Sequence, residues 1–304
     1  MALNIAVFRK RLLTAVYFVA VMLGGLLWNQ WSFFVLFTII HFGCWIEYQK
    51  IIALIHPEYS EITGFHRYGV MLAGWCMMLS LTNDMYNIGD FSLHSIGWWL
   101  GLIIIFLLPL VELLFSKQLS ASNIAYSIGG LIYISLAWAL MIGLYEFRMT
   151  LHGIKFGPNI PLVIILTIWI NDTMAYLVGS FIGKTPFSKI SPKKTWEGTL
   201  GGIILSTLII GFIAVSKYSF IIGIGDYDTV AGLPLDTSGY HWFVIAGTAA
   251  IVGTAGDLFE SKLKRKANVK DSGSIMPGHG GFLDRFDSLL FAVPVIWLYV
   301  QIFM

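Results

Sequence analysis

The residues best suited to chemistry gather in two polar stretches of an otherwise apolar chain. The denser one is GDLFESKLKRKANVKDSGSIMPGHGGFLDRFDS, from Gly256 to Ser288. On a helix, Asp257, Glu260, Ser261 and Lys264 stand at i, i+3, i+4 and i+7 and share one face. Lys264, Arg265, Lys266 and Lys270 crowd the exit of that helix. The run Pro277, Gly278, His279, Gly280, Gly281 cannot hold a regular helix and offers backbone N–H groups to a ligand. Asp284 and Asp287 lie three apart at the start of the last apolar run, a spacing that lets two carboxylates converge on one metal ion. Arg285 stands between them.

Acidic residues alone point to a cation and basic residues alone to an anion. Interleaved at the edge of an apolar run, they point to a metal–phosphate site. Mg²⁺ is commonly held by one or two carboxylates while phosphates and water complete its shell, and Lys and Arg neutralise the remaining phosphate charge. A basic segment resting on anionic lipid headgroups would account for the lysines. It would not account for the glycine-rich run or the Asp-x-x-Asp pair.

The second stretch is NDTMAYLVGSFIGK, Asn171 to Lys184, followed by ISPKKTWEGTLGG, Ile190 to Gly202. Asp172 lies inside an apolar run and shares a helical face with Tyr176, Gly179 and Gly183. A carboxylate in hydrocarbon is costly, so it faces a partner, a metal or a wet cavity. A polar contact between helices is the plain alternative. Gly179-x-x-x-Gly183 by itself most often marks close helix packing. Lys193 and Lys194 follow a Ser-Pro break just before a helix beginning near Thr195, and a helix N-terminus beside two lysines is a ready anion site. Anchoring at a membrane surface explains the same lysines equally well. Of the histidines, only His279 has an unusual setting, among glycines. The 11 tryptophans read as membrane-interface belts and packing.

The elements that must position these residues follow from composition. The chain has 304 residues, 57% hydrophobic and 12% charged, against about 25% charged in a soluble domain. Its mean hydropathy is +0.77. These values exclude a disordered chain, a soluble globular enzyme and a nucleic-acid-binding module. They predict an all-α, polytopic integral membrane protein. Nine stretches approach the roughly 20 apolar residues a spanning helix needs: about 12–28, 31–47, 68–82, 97–116, 124–145, 160–183, 199–224, 241–260 and 285–304. The first is expected to be a retained helix rather than a cleaved signal. With the N-terminus in the cytoplasm, all of the 19 Lys and Arg except Arg148, Lys155 and Lys217 fall on the cytoplasmic side, as the positive-inside rule requires. An odd number of spans then puts the C-terminus outside. Cys44 and Cys76 sit in apolar runs and support neither a disulfide framework nor a zinc site. A single membrane domain is expected. Residues 1–155 would serve as scaffold, lipid gate or dimer surface, and 156–304 would carry the cytoplasmic-side polar loops. The net charge of +2 selects no partner.

The stretch Ser261–Asp287 resembles the signature of the phosphatidate cytidylyltransferases, the CDP-diacylglycerol synthases. That pattern reads approximately S-x-x-K-R, four residues, K-D, then P-x-H-G-G and D-R-x-D. Here it is carried by Ser261, Lys264, Arg265, Lys270, Asp271, Pro277, His279, Gly280, Gly281, Asp284, Arg285 and Asp287. Met276 stands where the family more often has Leu, Ile or Phe. ISPKKTWEGTLGG resembles a second family stretch through Ser191, Pro192, Lys194, Thr195, Gly198, Gly201 and Gly202. The resemblance covers about 160–304; before that it is a matter of hydropathy only. The compact size is similar to the bacterial enzymes.

The resemblance implies a reaction: CTP plus phosphatidate gives CDP-diacylglycerol plus pyrophosphate, with Mg²⁺ and the number of metal ions open. It implies a homodimer in the bacterial inner membrane, with the site on the cytoplasmic side, in contact with membrane lipids and with no nucleic acid. Asp257, Asp284 and Asp287 are the metal-ligand candidates, with Asp172 a further one. Lys264, Arg265, Lys270 and Arg285 would hold the phosphates. Lys193 and Lys194 would form a second phosphate patch, and Ser261 and His279 would make polar contacts. Two other readings stand beside this one. A CTP-dependent lipid or polyprenol kinase would release CDP instead of pyrophosphate. A cation-coupled transporter would use Asp172 and Asp257 within the membrane.

Overall fold

The computed structural model of the chain describes residues 5–82, 86–115, 120–145, 159–188, 190–224, 235–274 and 280–304, with side chains described outside 5–12, 217–224 and 235–238. Helices α1 (Ile5–Leu27), α2 (Gln30–Ile55), α3 (Gly64–Ser80) and α4 (Leu93–Phe115) come first. α5 (Ala121–Gly130), a π turn (Leu131–Ser135) and α6 (Leu136–Tyr145) follow as one continuous helix, Ala121–Tyr145. Then come α7 (Asn159–Ile182), α8 (Trp196–Ile224), α9 (Leu235–Lys266) and α10 (Leu283–Phe303). A 3₁₀ turn (Pro57–Glu61) links α2 to α3, and a short hairpin of β1 (Asn87–Ile88) and β2 (Phe91–Ser92) precedes α4. The all-α, polytopic membrane architecture expected from hydropathy is what the chain forms. Each of the nine expected stretches holds a helix. Among the described residues, seven helices are long and apolar enough to cross a membrane. α3 is shorter, at 17 residues, and so is the described apolar part of α1, Leu13–Leu27.

The chain divides into two compact units. The first is Met1–Phe147 with Lys262–Asp287, so the segment after α9 belongs with the N-terminal helices. Its core is aromatic. Phe37 packs on Trp138 at 5.2 Å between ring centres, and Trp138 meets Phe286 edge-on at 5.5 Å. Phe286 therefore anchors the start of α10 between Arg285 and Asp287. The π turn aims Ser135 inward, where its Oγ accepts from Trp45 Nε1 at 2.8 Å and lies 3.0 Å from His41 Nε2.

A second buried network joins α3, α4 and α5 in the same unit. Thr63 caps α3 by accepting from His66 N at 3.0 Å, and its hydroxyl donates to Glu112 Oε2 at 3.0 Å. His66 Nδ1 lies 3.3 Å from Glu112 Oε1, and its Nε2 lies 2.8 Å from Ser127 Oγ. The order Ser127–His66–Glu112 has the atoms of a nucleophilic relay. Ser127 is buried, however, and its hydroxyl is also engaged at 3.0 Å by Tyr59, which leaves no approach for a substrate. Burial pushes the Tyr59 phenol above its ordinary pKa, with the Ser127 contact and the Arg67 charge opposing, so it stays a protonated partner.

The second unit is Arg148–Ser261 with Ser288–Met304. Within it α7 and α8 pack closely. A Cβ on Gly202 would stand 2.8 Å from Ala175 Cβ and 2.9 Å from the Asn171 carbonyl, and one on Gly198 would stand 2.9 Å from Gly179 Cα. Backbone cannot move aside as a side chain can. Small residues let the helices approach where lipid supplies no hydrophobic drive for association. The glycines at 179, 198 and 202 thus do the plain job of close packing. Gly202→Ala is expected to lower the melting temperature in detergent, since overpacking costs about 1–3 kcal/mol. Gly247→Ala, whose Cβ meets only Thr207 at 3.6 Å, should leave it nearly unchanged.

Candidate functional site

The sequence candidates form two charge-paired clusters, one in each unit. In the second unit, residues 185–196 fold back on themselves before α8. Phe187 N donates to Lys194 O at 2.8 Å and Trp196 N to Thr185 O at 3.0 Å. The Phe187 and Trp196 rings meet edge-on at 4.5 Å. The Glu197 carboxylate closes the base, accepting from Lys184 N and Thr185 N at 3.2 Å. Thr195 caps α8 through Gly198 N, at 3.2 Å. This small hairpin fixes the stem of Lys194, and the Lys194 ammonium pairs with the Asp257 carboxylate of α9. Both side chains keep some access, at 34% and 24% exposure. Lys193 beside it is exposed, Ser261 is half-buried, and Asp172 is an exposed carboxylate on α7.

In the first unit the cluster is built on the turn after α9. Asn268 takes a left-handed conformation (φ 54°), with Asn268 N bonded to Arg265 O and Val269 N to Lys264 O. That pair of bonds is a Schellman stop, which ends the helix and turns the chain toward Ser272. Lys264 Nζ pairs with Asp284 Oδ1 at 2.5 Å, with side chains 12% and 10% exposed. Asp284 Oδ2 accepts from Ser272 N at 2.8 Å and Gly281 N at 2.9 Å, and lies 2.9 Å from the Ser272 hydroxyl. Gly280 has φ +82°, and a Cβ there would strike the Asp284 carboxylate, so only glycine fits. Asp287, one turn further along α10, is buried, while Arg265, Lys270 and Arg285 are exposed. Arg265 also reaches back to Val269 O at 3.3 Å. Pro277, Gly278 and His279 lie outside the described residues.

Sequence reasoning missed Glu47 of α2. Its Oε1 accepts from Phe282 N at 2.9 Å, and its Oε2 accepts from Leu283 N at 2.8 Å and Ser272 Oγ at 2.7 Å. The one available signal was an acid inside an apolar run. Its partners lie 225 to 236 residues away, and no local spacing betrays them.

Whether these carboxylates suit a metal can be judged from their partners. Among the described residues, no group of three or more His, Cys, Asp and Glu side chains converges to hold one. A cage made wholly of protein ligands is therefore not present there. A Mg²⁺ that takes one or two carboxylates and leaves its other positions to phosphate and water needs no such cage. Asp284 meets that need: Oδ2 is held by two backbone N–H groups beside the Ser272 hydroxyl, and Oδ1 faces a cation, here the Lys264 ammonium. Hard oxygen donors oriented by outer hydrogen bonds suit Mg²⁺.

The two ion pairs differ in what they contribute. Removing one partner of a buried pair strands a charge and costs about 3–5 kcal/mol, whereas an accessible pair is worth about 1 kcal/mol or less. Lys264→Ala is therefore expected to lower the melting temperature clearly more than Lys194→Ala. Equal shifts in a detergent melt would show that the Asp284 pair is no more buried in effect than the Asp257 pair.

Known proteins are similar to this chain over much of its length. The chain is 35% identical over 188 residues to a phosphatidate cytidylyltransferase of Thermotoga maritima, covering 61% of this chain and 62% of that one. It is 32% identical over 231 residues to one of Staphylococcus saprophyticus, covering 75% and 77%. It is 31% identical over 207 residues to phosphatidate cytidylyltransferase 1 of Rattus norvegicus, covering 55% and 44%. The alignments thus span between about half and three quarters of the relatives' lengths. The family model described as the Cytidylyltransferase family matches residues 9–303. With that match running from α1 to the end of α10, the chain belongs to the cytidylyltransferase family.

Proposed function

We propose that this protein transfers a cytidylyl group from CTP to phosphatidate, giving CDP-diacylglycerol and pyrophosphate for phospholipid biosynthesis. What carries the reading is the pinned Lys264–Asp284 pair inside the segment that bears the family signature. A phosphate monoester is largely dianionic near neutral pH, with a second pKa of about 6. The phosphatidate oxygen therefore needs no general base. It forms a bond to the α-phosphorus of CTP, and the bond from that phosphorus to the bridging oxygen of the β-phosphate breaks. Pyrophosphate leaves with that oxygen.

The obstacle is bringing two polyanions together, so the work is positioning and charge neutralisation. Lys264, Arg265, Lys270 and Arg285 supply positive charge from the end of α9, the following turn and the start of α10. Lys193 and Lys194 supply more from the hairpin before α8. Ser261 and His279 are the proposed polar contacts to nucleotide or phosphate. Asp257, Asp284 and Asp287, with Asp172 as a further candidate, would hold Mg²⁺, which when bound polarises phosphoryl oxygens and offsets developing charge.

We place the protein in a bacterial inner membrane, as a homodimer with nine crossings, a cytoplasmic N-terminus and the site at the cytoplasmic boundary. There CTP arrives from water and phosphatidate from the leaflet. The distribution of Lys and Arg supports this orientation. Native Cys44 and Cys76 are buried and give a low labelling background. A cysteine replacing the exposed Lys262 should react with a membrane-impermeant maleimide only when the cytoplasmic face is open. Labelling of that cysteine in sealed, right-side-out cells would overturn the orientation.

The reaction is tested with detergent-purified protein, CTP, phosphatidate and Mg²⁺. Pyrophosphate and CDP-lipid should appear in equal amounts and require both lipid and metal. Asp287→Asn should fold and lose about 100-fold or more of the rate, the scale of removing one electrostatic group from a reaction centre. CDP together with a newly phosphorylated lipid acceptor would overturn the proposal in favour of a kinase.

A further inference from the structure

We infer that Glu47 is a positioning residue for the reaction: from α2 it holds the loop and helix start that orient Asp284. The reaction itself rests on the cytidylyltransferase reading above; the positioning rests on geometry. Glu47 is 2% exposed, in a helix otherwise apolar enough to cross a membrane. A buried carboxylate there is costly unless it is well met by donors. The partners of Glu47 are Phe282 N, Leu283 N and Ser272 Oγ, all from the signature segment. The two N–H groups belong to Phe282, just before α10, and to Leu283, its first residue, where a helix has no internal acceptor for them. An acid at that point satisfies them and complements the helix dipole.

Ser272 extends the chain of contacts. Its Oγ lies 2.7 Å from Glu47 Oε2 and 2.9 Å from Asp284 Oδ2. A run of carboxylate, hydroxyl and carboxylate thus links α2 to the oxygen of Asp284 opposite the one that faces Lys264. The fit is close on the loop side as well. A Cβ on Gly273 or Gly281 would strike the Glu47 carboxylate. Glu47 therefore sets where the loop crosses, where α10 begins and how the Asp284 carboxyl plane lies. Outer hydrogen-bonding partners of this kind typically change affinity or activity 10–100-fold when removed.

A purely structural acid would alter how much protein folds. A positioning acid alters the rate of each folded molecule and the metal concentration it needs. The test uses Glu47→Gln and Ser272→Ala, each purified as folded full-length protein in detergent. Glu47→Gln turns an amide toward N–H donors. Ser272→Ala cuts the link and leaves Glu47 its two backbone partners. Backbone hydrogen exchange across Ser272 and Gly281–Leu283 should speed up in both variants. The turnover per folded molecule should fall about 10–100-fold. The KM for CTP should move little, and the Mg²⁺ concentration for half-maximal rate should rise. Because both residues act through one chain of contacts, the double variant should be scarcely worse than the worse single variant.

Native exchange together with native turnover in both variants would overturn the inference, as would additive losses in the double variant. If Glu47→Gln fails to fold, Ser272→Ala decides by the same readouts. If the native protein shows no cytidylyl transfer while exchange still accelerates in the variants, the reaction assignment fails and the holding role of Glu47 stands.

Discussion

A carboxylate held in an apolar fold has to be met by donors or by a cation, and among the described carboxylates Glu47, Asp284, Asp257 and Glu112 are. Glu47 is met by three donors of the signature loop. Asp284 is met by two backbone N–H groups and a lysine. Asp257 is met by Lys194, and Glu112 by Thr63 and His66. The pairings of Glu47, Asp257 and Glu112 tie together elements far apart in sequence, while Asp284 is met from the turn just before it and from the end of α9. The requirement therefore does more than offset a penalty. It selects which helices must lie together and in what register, which hydrophobic contacts alone leave loosely specified when lipid is as apolar as leucine.

Close backbone approach is the complement of that constraint. Between α7 and α8 the contact runs through Gly179, Gly198 and Gly202, where a single Cβ would meet main chain. In the loop before α10, Gly273 and Gly281 leave the room that the Glu47 carboxylate occupies. The two uses differ in kind. In the first, the absent side chain lets two helices pack. In the second, it lets an acid reach N–H groups that a side chain would shield. Spacing already separates the two in the sequence: Gly179-x-x-x-Gly183 on an apolar run reads as packing, and the adjacent glycines at 280 and 281 after a proline read as open backbone.

Much of this architecture was legible because hydropathy reports directly on helices that lie in lipid. Each of the nine expected apolar stretches holds a helix, and the polar segments fall between them. The helix expected near Thr195 after the Ser-Pro break begins at Trp196, and the structure shows Thr195 as its cap. The pairing of Lys194 with Asp257 was not legible, since it joins residues 63 apart. The buried contacts of His66 with Glu112 and Ser127 were missed for the same reason, and His66 read as a lone histidine. Glu47 is the clearest case. Its α2 setting reads as one polar residue in an apolar run, and its meaning lies in partners supplied by the last helix. Periodicity and spacing describe what a segment does along itself. They are silent on what two segments do to each other across the fold.

The charge pairing also bears on how a protein can keep a site for polyanions in the absence of any. Lysines crowded at a membrane boundary repel one another, and carboxylates there are poorly solvated. Pairing Lys264 with Asp284 and Lys194 with Asp257 offsets both costs. On the proposed reaction, a phosphate that draws an ammonium exchanges one anionic partner for another, so little new charge has to be desolvated. What must not change in that exchange is the carboxylate left behind. The two backbone N–H groups on Asp284 Oδ2 and the three donors on Glu47 involve no lysine at all. The hold on Asp284 is therefore independent of where the Lys264 ammonium points, and an oxygen released by the lysine stays aimed in the same direction.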